Sequence, residues 1–195
     1  MKYATKLPIK PDVPYLHKAT VVLGRHGIGL NDFAGRVIRK YLPKKQIEIV
    51  KDALPKSLLP FVLGVNFTEV RLLAAHVHVV ERSVINFYQQ TNGEITKFFE
   101  GSVEPDDQWS TDNGNGYLNV DMDQLQEAEA FIAQDQDVWL LDALQPHSVE
   151  IIGDTREGMM KFDLPNGNKR TMVQVYLDLP YDEAVKHFEG MLDAA

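Results

Sequence analysis

The 195-residue chain contains no cysteine. That excludes disulfides, thiolate metal sites, iron–sulfur clusters and a cysteine nucleophile. No apolar run approaches the ~20 residues that a membrane-spanning helix needs. The first residues, MKYATKLPIKPD, show neither an apolar core nor a cleavage site of a secretory leader, so the expectation is a cytoplasmic protein. Common phosphate and hydrolase signatures are missing too. Gly24, Gly27 and Gly29 cluster without the G-x-G-x-x-G order or the Lys-Ser/Thr of a P-loop, and HExxH, GxSxG and DxDxDG do not occur. Asp106, Asp107 and Asp112 lack EF-hand spacing and read as a solvated acidic loop.

Positive charge is scarce in one part of the chain. Residues 94–144 carry 1 basic and 13 acidic side chains, against 14 basic and 6 acidic in residues 1–93. The formal net charge of −8 argues against non-specific nucleic-acid binding, and the two oppositely charged halves attract each other across one fold. The length suits a single domain, and 44% hydrophobic residues suffice for one sizeable core.

Residues 1–20 are punctuated by Pro8, Pro11 and Pro14 and read as an extended arm. Residues 30–42 place Phe33, Val37, Ile38 and Tyr41 at helical spacing, with Asn31 or Asp32 as cap. A second helix is expected from Lys44 to Leu54, before Pro55. From Leu58 onward, short β-branched and aromatic runs alternate with turns. Asn92-Gly93 predicts a type I′ hairpin between SVINFYQQ and EITKFFEG, and Asn166-Gly167 predicts a second hairpin. Asp123 is read as the cap of a helix, QLQEAEAFIAQD; VWLLDAL and MVQVYLDL are read as strands. The closing YDEAVKHFEGML is an amphipathic helix with Val185, Phe188 and Leu192 facing inward. The sum is a mainly β fold with flanking helices. Its expected architecture is a jelly roll, or double-stranded β-helix: a helical region at 1–57, a core at 58–179 and a closing helix at 180–195.

His76 and His78 flank Val77 in a strand and so project to the same side, ~6.5–7 Å apart along the chain. An arbitrary His-x-His is more often a solvated or packed pair. Here LLAA precedes and VV follows, and buried imidazoles need polar partners, which shifts the reading toward metal ligands. His147, in QPHSV, follows a strand at a separation that lets a jelly roll bring it beside them. Arg170 opens an apolar strand; it sits either at an exposed strand end or, if buried, against an anion.

Three segments carry a family resemblance. AHVHVVERSVINFYQQTNGEITKFFEG resembles the His-x-Asp stretch of small 2-oxoglutarate/Fe(II)-dependent dioxygenases of the prolyl-hydroxylase-like type. VWLLDALQPHSVE resembles their distal-histidine segment. RTMVQVYLDLPYDEAVKHF resembles their last core strand, which opens with the arginine that binds 2-oxoglutarate. The resemblance implies the double-stranded β-helix, Fe(II) on His76, His78 and His147, and 2-oxoglutarate as co-substrate on Arg170. Asn86 and Tyr88 share a parity on the next strand and, if that face is inward, would hydrogen-bond co-substrate or substrate; Asn86 matches the strand asparagine of that family. His78 stands where that family has aspartate, and Arg156 is a rival to Arg170. Segment 101–119 is either a lid, a substrate loop or a plain insertion. A second resemblance is to cupins, which share the fold: His76, His78, Glu81 and His147 are similar to their ligand set, although Glu81 follows too closely. In a regular strand Glu81 would point away from the histidines, and a turn at residues 80–82 would bring it back. A non-catalytic jelly-roll module without the carboxylate ligand is a further alternative.

Overall fold

A computed structural model of the chain describes residues 1–9, 37–70, 73–101, 117–119, 123, 125–151 and 170–193. Among the described residues eleven strands are formed: β1 (Ala4–Leu7), β2 (Val37–Tyr41), β3 (Val62–Val70), β4 (Leu73–His78), β5 (Ser83–Gln90), β6 (Glu94–Gly101), β7 (Tyr117–Asn119), β8 (Leu125–Ile132), β9 (Val138–Asp142), β10 (His147–Ile151) and β11 (Arg170–Leu177). The helices are α1 (Lys44–Asp52), a 3₁₀ turn (Lys56–Phe61), α2 (Tyr181–Lys186) and α3 (Glu189–Leu192). No helix among the described residues is long and apolar enough to cross a membrane.

The strands make a six-stranded sheet, ordered β1-β9-β5-β11-β3-β2, and a five-stranded sheet, ordered β7-β4-β10-β6-β8. β3, β4, β5 and β6 alternate between the two sheets. β11, β10, β9 and β8 then return beside them, each antiparallel to its counterpart. The chain is thus one long antiparallel ribbon, wound so that its two legs share both sheets. That winding is the double-stranded β-helix expected above.

The six-stranded sheet is covered on both faces, which explains why every residue of β11 is buried. Its outer parity, Val173, Val175 and Leu177, joins Ile85, Phe87, Val138 and Leu140 in a core roofed by Val50 of α1, Leu58, Ala184 of α2 and Phe188. The other parity, Arg170, Gln174 and Tyr176, turns polar groups toward the space between the sheets, with Met172 among them. Phe188 is fully buried in the apolar roof. Phe188→Ala is expected to cost about 3–5 kcal/mol of stability, read by urea denaturation, while leaving metal affinity unchanged. A cost under ~1 kcal/mol would remove Phe188 from the core.

Three expectations are corrected. Residues 37–41 form a strand, not the end of a helix: they pair with residues 66–70 of β3, and the β-branched Val37-Ile38 step suits that ladder. The rest of that expected helix lies outside the described residues. Of the QLQEAEAFIAQD segment, Leu125–Ile132 is also a strand. β8 supplies the return leg for β6, with Phe131 stacked on Trp139 at 4.0 Å between ring centroids. Pairing along the whole of β6, together with this aromatic insertion, outweighs the helical preference of Glu and Ala. Finally, Asn92-Gly93 does not close a hairpin. β5 and β6 lie in different sheets, and Gly93 has φ +82° whereas Asn92 keeps a negative φ. The turn is an arch that carries the chain across the sandwich, with the Asn92 amide donating to the Glu94 carboxylate at 2.8 Å. The Asn166-Gly167 turn, the glycine cluster at 24–29 and Arg156 lie outside the described residues, as does most of the acidic segment.

Candidate metal centre

β4 and β10 are neighbours, and their register sets His147 directly opposite His76. His78 lies one pleat repeat further along β4, on the same face. The three rings meet between the sheets. Ring centroids are 4.2 Å apart for His76 and His147, 5.3 Å for His78 and His147, and 5.4 Å for His76 and His78. One ligand nitrogen from each lies within 4.8 Å of the others, and all three residues are buried.

His147 is oriented by its own turn. Its Nδ1 is 2.8 Å from the Gln145 carbonyl, which can only accept, so Nδ1 carries the proton and Nε2 keeps its lone pair. The turn is pinned to β6: the Phe99 amide donates to the Pro146 carbonyl at 2.9 Å, and the Gln145 side chain donates to the Phe99 carbonyl. Loss of water around His147 pushes its pKa down to about 4, the Gln145 carbonyl works against that shift, and the Arg170 cation adds to it. The ring is therefore neutral at physiological pH, the form that binds metal.

The shift has a stability consequence. The unfolded imidazole takes up its proton near pH 6.5 and the folded one near about 4. The contribution is whole above pH 6.5 and is lost as pH falls toward 4, because the unfolded chain binds more protons in that window. Metal-free protein is expected to lose up to roughly 3 kcal/mol this way. Urea denaturation of parent and His147→Asn protein at pH 7 and pH 4 checks it: the parent's loss on acidification should exceed the variant's, and equal losses contradict it.

Glu81 is brought back toward the histidines, because β4 ends at His78 and the chain bends before β5. The Arg82 amide donates to the Leu177 carbonyl at 3.0 Å, and the Arg82 carbonyl accepts from Ala143 at 3.2 Å, which fixes the bend. Glu81 is buried, with Oε2 3.3 Å from His78 Nδ1. It stands outside the three-histidine group itself.

Arg170 is only 2% exposed. Its Nη1 donates to Thr96 Oγ1 at 3.0 Å, spanning the two sheets, and its guanidinium carbon lies 5.1 Å from the centroid of the Tyr88 ring. Thr96 is one pleat repeat along β6 from Phe98, which faces His147 across the ladder. Arg170 Nε has no hydrogen-bond partner among the described residues, and Thr68 Oγ1, also buried, has none either. On the neighbouring strand, Thr68 stands opposite Met172, the next residue of the same parity as Arg170 on β11.

Asn86 and Tyr88 share the inner face of β5, as their parity predicts, but they are joined to each other. Tyr176 donates to Gln174 at 2.8 Å, Gln174 to Asn86 Oδ1 at 3.0 Å, and Asn86 Nδ2 to Tyr88 Oη at 3.2 Å. Sequence reasoning missed Gln174, Tyr176 and Thr96. The signal for the first two was polar residues alternating with Val173 and Val175 in a strand whose apolar parity was already complete.

No family model and no curated protein matches the chain. Among solved structures, the chain is similar to E. coli ycfD, with TM-score 0.44 and 10% identity over 80% of this chain and 37% of that one. It is also similar to oxalate decarboxylase from Bacillus subtilis, with TM-score 0.36 and 13% identity over 79% of this chain and 28% of that one. The chain thus spans 37% of the length of the first neighbour and 28% of the second. The assignment of the double-stranded β-helix rests on the strand order and register of this chain.

Proposed function

We propose that this chain is a cupin-like metalloprotein whose single metal ion is held by His76, His78 and His147, with a small carboxylate bound beside it on Arg170. The observation that carries the reading is the convergence of three buried imidazole nitrogens to within 4.8 Å of one another. The donor set fits the group. Three neutral nitrogen ligands suit first-row ions such as Fe(II) or Zn(II), and three protein ligands leave positions open for a substrate. Bound iron would supply one-electron and O₂ chemistry. The chain's own residues then hold His147 in its metal-binding tautomer, exclude bulk water through the surrounding Phe98 and Val149, and orient an anion.

A finer reading is a 2-oxoglutarate/Fe(II)-dependent oxygenase. Arg170 favours it: a buried guanidinium whose Nε has no partner among the described residues, backed by Thr96, suits the distal carboxylate of a dicarboxylate co-substrate. Tyr88, held from below by Asn86, keeps its own hydroxyl proton to donate to that ligand. Calorimetry of 2-oxoglutarate with Zn(II)-loaded and metal-free protein tests both levels. The expected result is one equivalent of Zn(II), then 2-oxoglutarate binding at least tenfold tighter to the loaded protein. Zn(II) bound without any effect on 2-oxoglutarate contradicts the finer reading alone, and no Zn(II) binding contradicts both.

A further inference from the structure

Resting on the three-histidine reading, we infer that Glu81 delivers, through His78, the negative charge that a directly coordinating carboxylate would otherwise supply. The ligand group contains no carboxylate among the described residues, whereas a buried one stands immediately behind one of its histidines. Its oxygen is 3.3 Å from Nδ1 of His78, and both side chains are at most 5% exposed. In that setting little water screens the pair. At that ion-pair separation the field of the carboxylate favours the proton on Nδ1, which leaves Nε2 for the metal and makes it a stronger donor. The position of Glu81 depends on the bend after His78: a regular strand would have turned it to the opposite face. Hydrogen bonds from Arg82 to Leu177 and from Ala143 to Arg82 hold that bend, so the carboxylate is placed by the fold and not by metal binding.

Glu81 is thus a positioning residue, and its effect is read in metal affinity and ligand field. Anaerobic Co(II) titrations followed by visible absorption are made on parent, Glu81→Gln, Glu81→Ala, His78→Asp and His78→Asp/Glu81→Gln proteins. Glu81→Gln keeps the shape and removes the charge. It should weaken Co(II) about 10–100-fold and shift the absorption bands, while the thermal midpoint of the metal-free protein is unchanged or raised. In the His78→Asp background the same Glu81→Gln change should leave affinity unchanged or improve it, because the new aspartate carries the charge itself and a second carboxylate repels it. Equal affinity and equal spectra for parent and Glu81→Gln overturn the inference, as does an equal loss in both backgrounds. Retention in Glu81→Gln with loss only in Glu81→Ala assigns Glu81 to packing and overturns it as well. A parent that binds no Co(II) overturns the metal reading beneath it, a result distinguishable from the others.

Discussion

His147→Ala is expected to weaken Zn(II) or Fe(II) binding by at least about sixtyfold. Structural zinc sites with four ligands are worth ~10–16 kcal/mol, so one ligand accounts for roughly 2.5–4 kcal/mol, and each ~1.4 kcal/mol is a factor of ten. The variant keeps two of the three imidazoles of the group formed by His76, His78 and His147 among the described residues. The variant should still fold. His147 lies at the start of β10, and the Gln145–Pro146 turn that anchors the strand to β6 relies on backbone groups and the Gln145 side chain, not on the imidazole. Equal affinity in parent and variant by calorimetry would remove His147 from the ligand set.

Arg170→Met separates binding of the carboxylate from binding of the metal. Truncating one partner of a buried charge pair costs ~2–5 kcal/mol, so 2-oxoglutarate affinity for the Zn(II)-loaded protein should fall by about thirtyfold or more. Metal affinity in the absence of co-substrate should hold steady or rise, because a buried cation near the histidines has been removed. The stability of the ligand-free fold should not drop by the amount a core mutation would cost. Without an anion the guanidinium is a buried charge whose Nε is unsatisfied among the described residues, and an apolar side chain of similar length relieves that penalty. A variant that loses metal and 2-oxoglutarate together, with a fall in the denaturation midpoint, would assign Arg170 to the structure and not to a ligand.

What could be read from the sequence depended on the range of the physics involved. The His76-x-His78 pair was legible because strand parity is local: two residues apart means one face, whatever the rest of the chain does. Arg170 was legible only as an oddity, an arginine opening a strand of Met, Val and Tyr; whether it was exposed or buried depended on sheet packing, which buries it. The location of β8 was not legible. Its Glu-Ala composition favours a helix, and only the long-range ladder with β6 and the stacking of Phe131 on Trp139 made it a strand. Asn92-Gly93 misled for a related reason. A turn signal marks where the chain reverses, but whether the two flanking strands pair with each other or with distant ones is decided by the winding of the whole ribbon. Glu81 fell between these cases. Strand parity alone pointed it outward, and the bend that returns it is held by contacts to Leu177 and Ala143, far away in sequence.

The central claim is that His76, His78 and His147 share one metal ion. Crystals of the protein grown with Co(II) or Zn(II), with diffraction recorded on either side of the metal absorption edge, test it directly. The expected result is one anomalous peak between the two sheets, ~2.0–2.1 Å from a nitrogen of each of the three histidines. A cluster without a peak at saturating metal, or one whose peak touches only surface carboxylates such as Glu127 and Glu150 around Lys97, would contradict it.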